Sequence, residues 1–160
     1  MTEIDAAKFR DALGGFATGV TVVTTLDEQG APFGVTANSF NSVSLNPPLV
    51  IWSLANTAQS MSAFRQSGHF AVHVLANDHK SVSNHFAKSG GDKFSSMPWQ
   101  KGKLGSPLLS KYVSRFECRT LHKYEGGDHT IFVGQVVNLD QKVGKALVFH
   151  QGGYAELAAG

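Results

Sequence analysis

Short runs of apolar and β-branched residues, separated by turn residues, recur along most of the chain. Such runs predict β-strands, because branched side chains suit a pleated surface while Gly, Pro, Asn and Asp favour turns. The predicted strands are residues 18–26, 35–45, 49–54, 70–76, 112–124, 129–139 and one short strand within 146–157. Since no helix between them is long enough for a crossover, the pattern predicts a mainly β fold, an antiparallel barrel.

Two details of this pattern carry further predictions. The apolar run LVIWSL at 49–54 predicts a strand that is buried on both faces. Pro47 and Pro48 cannot both lie within a central strand, so they predict a corner before it.

Helical spacing of apolar residues is confined to short segments. Residues 5–14 predict an amphipathic helix that stops at a glycine pair, and residues 57–68 predict a second helix that ends on Gly68. Residues 78–91 begin with Asp78, a suitable N-cap, and end in two glycines, which predicts a third helix. Residues 90–110 are rich in Gly, Pro and Ser, which predicts a long surface segment of the kind that often carries function.

The stretch VTANSFNSVSLNPP, residues 35–48, contains no charged residue but many hydroxyl and amide groups. In an extended strand, Thr36, Asn38, Phe40, Ser42 and Ser44 would share one face. Neutral donors of this kind suit a ligand that carries a phosphate, a ribityl chain and the edge of a heteroaromatic ring. The alternative is a surface strand that carries polar side chains. The apolar runs on either side argue against it.

A second neutral cluster lies at residues 53–60, where a predicted strand leads into a helix. Ser53, Asn56, Thr57 and Ser60 belong to it, and free backbone N–H groups at such a position favour an anion. The alternative is that Thr57 simply caps its own helix.

A third candidate is EGGDHT, residues 125–130, where Gly126 and Gly127 leave room for a flat ligand. His129 stands where a turn enters a strand, and Asp128 is placed to influence its orientation or charge. The alternative is ordinary hairpin chemistry, for which Gly-Gly-Asp is also typical.

Composition and motifs exclude several classes of function. The net charge of +2 and the scattered basic residues do not favour nucleic acid. A single cysteine, Cys118, allows no intrachain disulfide, and the chain has neither a signal-peptide pattern nor an apolar run of membrane length, so we expect a cytoplasmic protein without a membrane segment. No metal-binding, Rossmann, Walker or nucleophile-elbow motif is present, so no metal site is predicted.

Five segments in a fixed order resemble the flavin reductase–like, FMN-binding split-barrel proteins, and in particular the short-chain flavin reductases of two-component aromatic monooxygenases. The segments are 9–25, 34–50, 70–76, 86–94 and 126–136. The resemblance covers most of the chain, and it implies one domain over residues 1–160, with a core at about 9–154, folded as an antiparallel split β-barrel.

The resemblance also implies a homodimer that transfers hydride from NAD(P)H to FAD or FMN and supplies reduced flavin to a partner oxygenase. NADH is expected rather than NADPH, because selection of a 2′-phosphate usually recruits arginine and the chain has only four. Two alternatives are a split-barrel protein that binds flavin without turnover and an enzyme like pyridoxamine-phosphate oxidase.

The same resemblance implies roles for particular residues. His129 would meet the nicotinamide nucleotide as the catalytic residue, and no amino-acid nucleophile or essential general base is expected. The residues implied in flavin binding are Thr36, Ala37, Asn38, Ser39, Ser42, Ser44, Ser53, Leu54, Asn56, Ser60, Phe86, Ala87, Lys93, Phe94 and Tyr154.

Overall fold

In the computed structural model, which describes residues 3–159, the chain forms twelve strands and three short helices. The strands are β1 Thr18–Gly19, β2 Thr21–Leu26, β3 Pro32–Ala37, β4 Asn41–Leu45, β5 Pro48–Ala55, β6 His69–Val74, β7 Trp99–Lys101, β8 Pro107–Leu109, β9 Ser114–Gly126, β10 His129–Gln141, β11 Val148–His150 and β12 Gly153–Ala155. The helices are α1 Ala6–Gly14, α2 Met61–Ser67 and α3 Lys80–Ala87. Strands dominate, as predicted.

Seven strands form one antiparallel sheet in the order β3–β2–β6–β9–β10–β5–β4. Strand β3 also contacts β5, so the two ends of the sheet approach each other and the sheet curls into a barrel. Strands β1, β11 and β12 form a small second sheet, and β7 pairs with β8. The predicted antiparallel barrel is therefore confirmed.

The predicted single strand at 35–45 is wrong, because the chain bends between Ala37 and Asn41 and forms two strands. Strands β3 and β4 stand at opposite ends of the sheet order, so Thr36 lies on a different strand from Ser42 and Ser44. The side chain of Ser39 explains the bend. Its hydroxyl donates to the carbonyl of Ser53 at 3.1 Å and accepts from the N–H of the same residue at 3.0 Å, in place of a backbone ladder.

Strand β5 is not buried on both faces within this chain. Val50, Trp52 and Leu54 are buried, whereas the residues between them are half-buried. The reason is that β5 pairs with β10 and β4 in the sheet and packs only one face on the core, as antiparallel strands commonly do. The corner predicted at Pro47 is present, and β5 begins at Pro48.

The helices follow their predicted positions with small shifts. In α1, Asp5 caps the helix by accepting the N–H of Lys8, and no helical residue is buried. Helix α2 begins at Met61 rather than at 57 and ends at Gly68, whose φ is +71°. The N-cap of α3 is His79 instead of Asp78, because the His79 ring accepts the N–H of Ala76 and closes the preceding turn one residue later.

Two segments contain more regular structure than predicted. The region 90–110 was predicted to be a surface loop, but β7 and β8 pair within it, and Ser106 and Leu109 are buried. The last segment contains two strands instead of one, since the turn through Gln151 and Gly152, both at positive φ, reverses the chain.

The main core is built around Trp52, whose ring packs against Phe64, Phe70 and Phe132 at centroid distances of 4.9, 5.8 and 5.0 Å. A second cluster, which includes Val22, Leu75, Phe86 and Leu147, fills the space beneath α3. Cys118 is a fully buried core residue, and burial raises the pKa of its thiol to about 12, which leaves it inert as a nucleophile. Among the helices of residues 3–159, none has the length and apolarity to cross a membrane.

Candidate functional site

A cleft of about 840 Å³ opens between strand β3, the end of β5 and the segment that follows α3. Its volume is in the range of small-molecule sites. The charged side chains in its lining are Lys88, Asp92 and Lys93, and no arginine contributes to it. The lining residues are 31–36, 54–55, 57–60 and 86–94. The cleft is therefore mostly neutral, and residues 35–36, 54–55 and 57–60 of the two polar stretches contribute to it.

Ser60 gives the clearest sign that the cleft takes a polar ligand. The residue is only 6% exposed, and its hydroxyl is buried without a hydrogen-bond partner among the described residues. It precedes α2 as the N-cap but makes no capping bond with its side chain. An unpaired buried hydroxyl costs about 1–3 kcal/mol, so a ligand atom that pairs with it would recover this cost. A flavin nucleotide, which carries many hydrogen-bonding groups, fits such a position.

The backbone around Ser60 is less open than the sequence suggested. The N–H of Ala58 donates to the carbonyl of Ala55 at 3.0 Å, and that of Met61 donates to Ala58 at 3.1 Å. Two of the expected free N–H groups are thus already used within the turn. Thr57 does not cap α2, because the helix begins four residues after it.

The opposite wall of the cleft is backed by aromatic side chains, which pack against a glycine of β3, Gly34. A Cβ atom on Gly34 would lie 2.7 Å from Cε1 of Phe86, which is closer than packed carbon atoms approach. Because Gly34 has none, the Phe86 ring rests directly on the backbone of β3, and Phe94 packs edge-on against it at 5.3 Å. Both rings are buried, at 1% and 8% exposure, so they form the packed apolar backing of this side of the cleft.

Two polar side chains hold this wall in place. The Thr36 hydroxyl donates to the carbonyl of Ser83 on α3 at 2.6 Å. The Lys93 ammonium donates to the carbonyls of Gly34 and Phe86 at 3.2 and 3.0 Å, and partial burial lowers its pKa. Two of the three N–H groups of Lys93 are therefore used by the protein itself, and the third is available to a ligand.

The structure gathers part of the predicted set around the cleft. The predicted residues that line it are Thr36, Leu54, Ser60, Phe86, Ala87, Lys93 and Phe94. The predicted residues outside its lining are Ala37, Asn38, Ser39, Ser42, Ser44, Ser53, Asn56, Tyr154 and His129. Of these, Ser39 and Ser53 bind each other, and Tyr154 bonds to Ser83 and Asn84 of α3.

Several lining residues were missed by sequence reasoning. They are Ala31, Pro32, Phe33, Gly34, Val35, Ala55, Thr57, Ala58, Gln59, Lys88, Ser89, Gly90, Gly91 and Asp92. Thr57 belonged to the second polar cluster but not to the predicted binding set. The glycine pair at 90–91, both at positive φ, was the available signal for the loop after α3.

His129 lies next to the cleft rather than in its wall. It is the first residue of β10 and stands opposite Ala55, a lining residue, in the register with β5. Its Nδ1 atom is 2.7 Å from the Asp128 carboxylate, and the side chain is about half exposed. Hydrogen bonding to His129 lowers the pKa of Asp128. The hairpin interpretation is also correct, since Gly127 turns the chain at a φ of +72°.

An antiparallel barrel with an open, mostly neutral cleft, an aromatic backing and an unpaired hydroxyl in the cleft lining is a β-barrel domain with the features of a small-molecule site. The chain belongs to the family described as flavin reductase like domain, whose sequence profile matches residues 13–158. The family resemblance drawn from the sequence is thereby confirmed.

Individual relatives agree with this assignment. The chain is 41% identical over 158 residues to the reductase component of the flavin-dependent trigonelline monooxygenase of Acinetobacter baylyi, with 96% of this chain and 51% of that protein covered. It is 42% identical over 154 residues to the FMN reductase (NADH) SmoA of Agrobacterium fabrum, with 96% and 87% covered. The chain thus spans about half the length of the Acinetobacter protein and most of the Agrobacterium protein.

Solved structures are similar as well. The NADH:FAD oxidoreductase of Streptomyces globisporus, in complex with NAD and FAD fragments, superposes with a TM-score of 0.91 at 37% identity and covers 98% of both chains. The flavin reductase PheA2 in its native state superposes with a TM-score of 0.88 at 36% identity, covering 98% of this chain and all of the other.

Proposed function

We propose that this chain catalyses the reduction of a free flavin by NADH: NADH, flavin and one proton give NAD⁺ and dihydroflavin. The observation that carries the proposal is the buried, unpaired hydroxyl of Ser60 in a mostly neutral cleft of a flavin reductase like domain. The relatives named for NADH-dependent reduction of FMN or FAD support the same reaction.

In this proposal the protein binds and orients while the cofactors supply the redox chemistry. Bound flavin would supply the acceptor for a hydride from the nicotinamide ring. Ser60 and Thr36 would hold polar groups of the flavin, and the Phe86 wall would exclude water from one side of the site. His129, held by Asp128, would meet the nicotinamide nucleotide at the edge of the cleft.

The remaining members of the predicted binding set stay proposals for flavin contacts. The set lining the cleft is Leu54, Ala87, Lys93 and Phe94, and the set outside the lining is Ala37, Asn38, Ser39, Ser42, Ser44, Ser53 and Tyr154. Lys93 would face the phosphate with its third N–H group.

The direct test measures the oxidation of NADH as the loss of its absorbance. Purified protein with added FMN or FAD should consume NADH with a turnover of at least about 1 per second, the lower end of ordinary enzymes, and faster than it consumes NADPH. Protein without added flavin is the control and should be much slower. A protein that binds flavin and turns yellow but leaves NADH unchanged would instead be a binding module. Oxidation of pyridoxamine phosphate without NADH would indicate an enzyme like pyridoxamine-phosphate oxidase.

Ser60→Ala should weaken flavin binding without weakening the fold. Loss of one net hydrogen bond of about 0.5–1.5 kcal/mol raises the dissociation constant by roughly 2- to 13-fold. The free energy of unfolding should stay the same or rise, because the variant removes a buried hydroxyl that has no partner. Fluorescence titration with FMN and FAD and urea unfolding measure the two quantities.

Ser62→Ala is the matched control for this variant, since Ser62 is an exposed residue of the same helix α2. It should bind flavin like the unmodified protein. Equal affinity of the Ser60 and Ser62 variants would remove Ser60 from the binding site.

We also propose that the chain works as a homodimer that supplies reduced flavin to a separate oxygenase. Support for the dimer comes from apolar side chains that the single chain leaves uncovered, including Phe9, Leu13 and Leu45 at 56%, 57% and 94% exposure. The half-buried second face of β5 agrees with it.

Relatives named as reductase components of monooxygenases support the oxygenase partner. We propose a cytoplasmic location as well, because the single cysteine of the chain, Cys118, is a free thiol.

A further inference from the structure

Asn56 connects the cleft with the turn that carries His129. The backbone N–H of Asn56 donates to the carbonyl of Asp128 at 2.9 Å. Its side-chain Nδ2 donates to the carbonyl of Gly127 at 3.3 Å, and its Oδ1 accepts from the Thr130 hydroxyl at 2.7 Å. Asn56 therefore holds the residues on both sides of His129.

Asn56 is also adjacent in sequence to residues of the cleft wall. Asn56 directly follows Ala55 and precedes Thr57, and both of these residues line the cleft. Ser60, with its unpaired hydroxyl, lies four residues further along the same segment. A movement of the His129 turn relative to Asn56 would consequently change the position of His129 relative to the cleft.

The orientation of the Asn56 amide is determined by its neighbours. Nη2 of Arg65 donates to the Thr130 hydroxyl at 2.7 Å, and a guanidinium group has no acceptor. The Gly127 carbonyl can only accept, so the NH₂ group of Asn56 must face Gly127 and its oxygen must face Thr130, whose hydroxyl donates its hydrogen to that oxygen. Thr130 is only 1% exposed, so this arrangement rests on the core of the barrel.

The family resemblance implies that Asn56 contacts the flavin directly. Both polar groups of its side chain already have partners within the protein, and it does not belong to the lining of the cleft. These contacts favour a role that is exerted through the turn at residues 127–130.

We propose that Asn56 is a positioning residue, which sets the place of His129 relative to the bound flavin, with its amide held by the Gly127 carbonyl and the Thr130 hydroxyl. The proposal rests on the proposed function. It predicts that Asn56 matters for the use of NADH only as long as His129 is present.

A double-mutant cycle tests this dependence. Asn56→Ala should lower kcat/KM for NADH about tenfold in the unmodified protein, but less than about twofold in a His129→Ala background, because residues that act as a unit have non-additive effects. Equal losses in both backgrounds would show that Asn56 acts independently of His129 and would overturn the proposal. An unchanged kcat/KM in Asn56→Ala would overturn it as well.

Thr130→Val provides a second variant with a matched control. It removes the hydroxyl that donates to the Asn56 oxygen and should reproduce the direction of the Asn56→Ala effect. Thr120→Val makes the same chemical change at a buried hydroxyl without a partner in the described residues, and it should leave kcat/KM within about twofold of the unmodified value. Equal effects of the two threonine variants would contradict the proposed chain of hydrogen bonds.

Amide hydrogen exchange supplies a readout that does not depend on activity. Exchange at residues 127–130 should accelerate about tenfold or more in Asn56→Ala and Thr130→Val, and should be unchanged in Thr120→Val. Unchanged exchange in Asn56→Ala would overturn the proposal. A protein that does not oxidise NADH at all would remove the proposed function instead, and exchange alone would then decide whether Asn56 holds the turn.

Discussion

Replacing Trp52 by alanine should lower the free energy of unfolding by about 3–5 kcal/mol, the range for large aromatic residues deleted from a core. The Trp52 side chain is fully buried on the inner face of β5 and contacts three phenylalanine rings. These rings belong to α2, β6 and β10, so one cavity would weaken the packing of three elements at once. Urea unfolding at a fixed protein concentration measures the loss as a lower midpoint with an unchanged slope.

The chain offers two graded controls for this result. Trp99, the second tryptophan, is only half-buried on β7, so Trp99→Ala should cost clearly less. Trp52→Phe should also cost less than Trp52→Ala, because it retains an aromatic ring and removes an indole N–H that has no hydrogen-bond partner in the described part of the chain. A loss in Trp52→Ala no larger than that in Trp99→Ala would show that the aromatic cluster is not the main core.

Acid should destabilise the fold through His73. This histidine is completely buried on β6, and desolvation lowers its pKa from 6.5 to about 3. Its Nδ1–H donates to the carbonyl of Val22 and its Nε2 accepts the N–H of Leu109, both at 3.0 Å. The ring must be neutral to make both bonds, since a protonated imidazole has no acceptor.

The sign of the pH effect follows from these two pKa values. Between pH 6.5 and about 3 the unfolded chain binds a proton at residue 73 that the folded chain does not. Stability is therefore fully present above pH 6.5 and is lost as the pH falls, by about 2 kcal/mol between pH 7 and pH 5 from this group alone. His69 and His79, whose pKa values are also lowered mainly by burial, contribute in the same direction.

His73→Leu isolates the contribution of this residue. The variant should be less stable at pH 8, because Val22 and Leu109 lose their partners, but its stability should depend less on pH between 7 and 5. Urea unfolding of both proteins at pH 8, 7, 6 and 5 gives the comparison. Parallel stability curves for the two proteins would show that His73 is not the buried group responsible for acid sensitivity.

The sequence alone determined the features that depend on local pattern. The hairpin of β9 and β10 was predictable because two long strand-like runs flank glycines that suit a tight turn. The β6 strand and the first helix followed from residue periodicity over short windows. The family could also be assigned from five short segments, because their order along the chain is itself specific.

The tertiary structure decided everything that depends on residues distant in sequence. The bend at 38–40 arises from Ser39 bonding to Ser53, and the half-buried face of β5 depends on which strands lie beside it. The role proposed for Asn56 arises from partners 71 and 74 residues away, so no local pattern of charges or apolar residues could reveal it. Sequence periodicity reports which residues prefer a strand, but only the folded barrel determines which polar side chains meet one another and that Ser60, one of the described residues with an unpaired buried group, lies in the cleft.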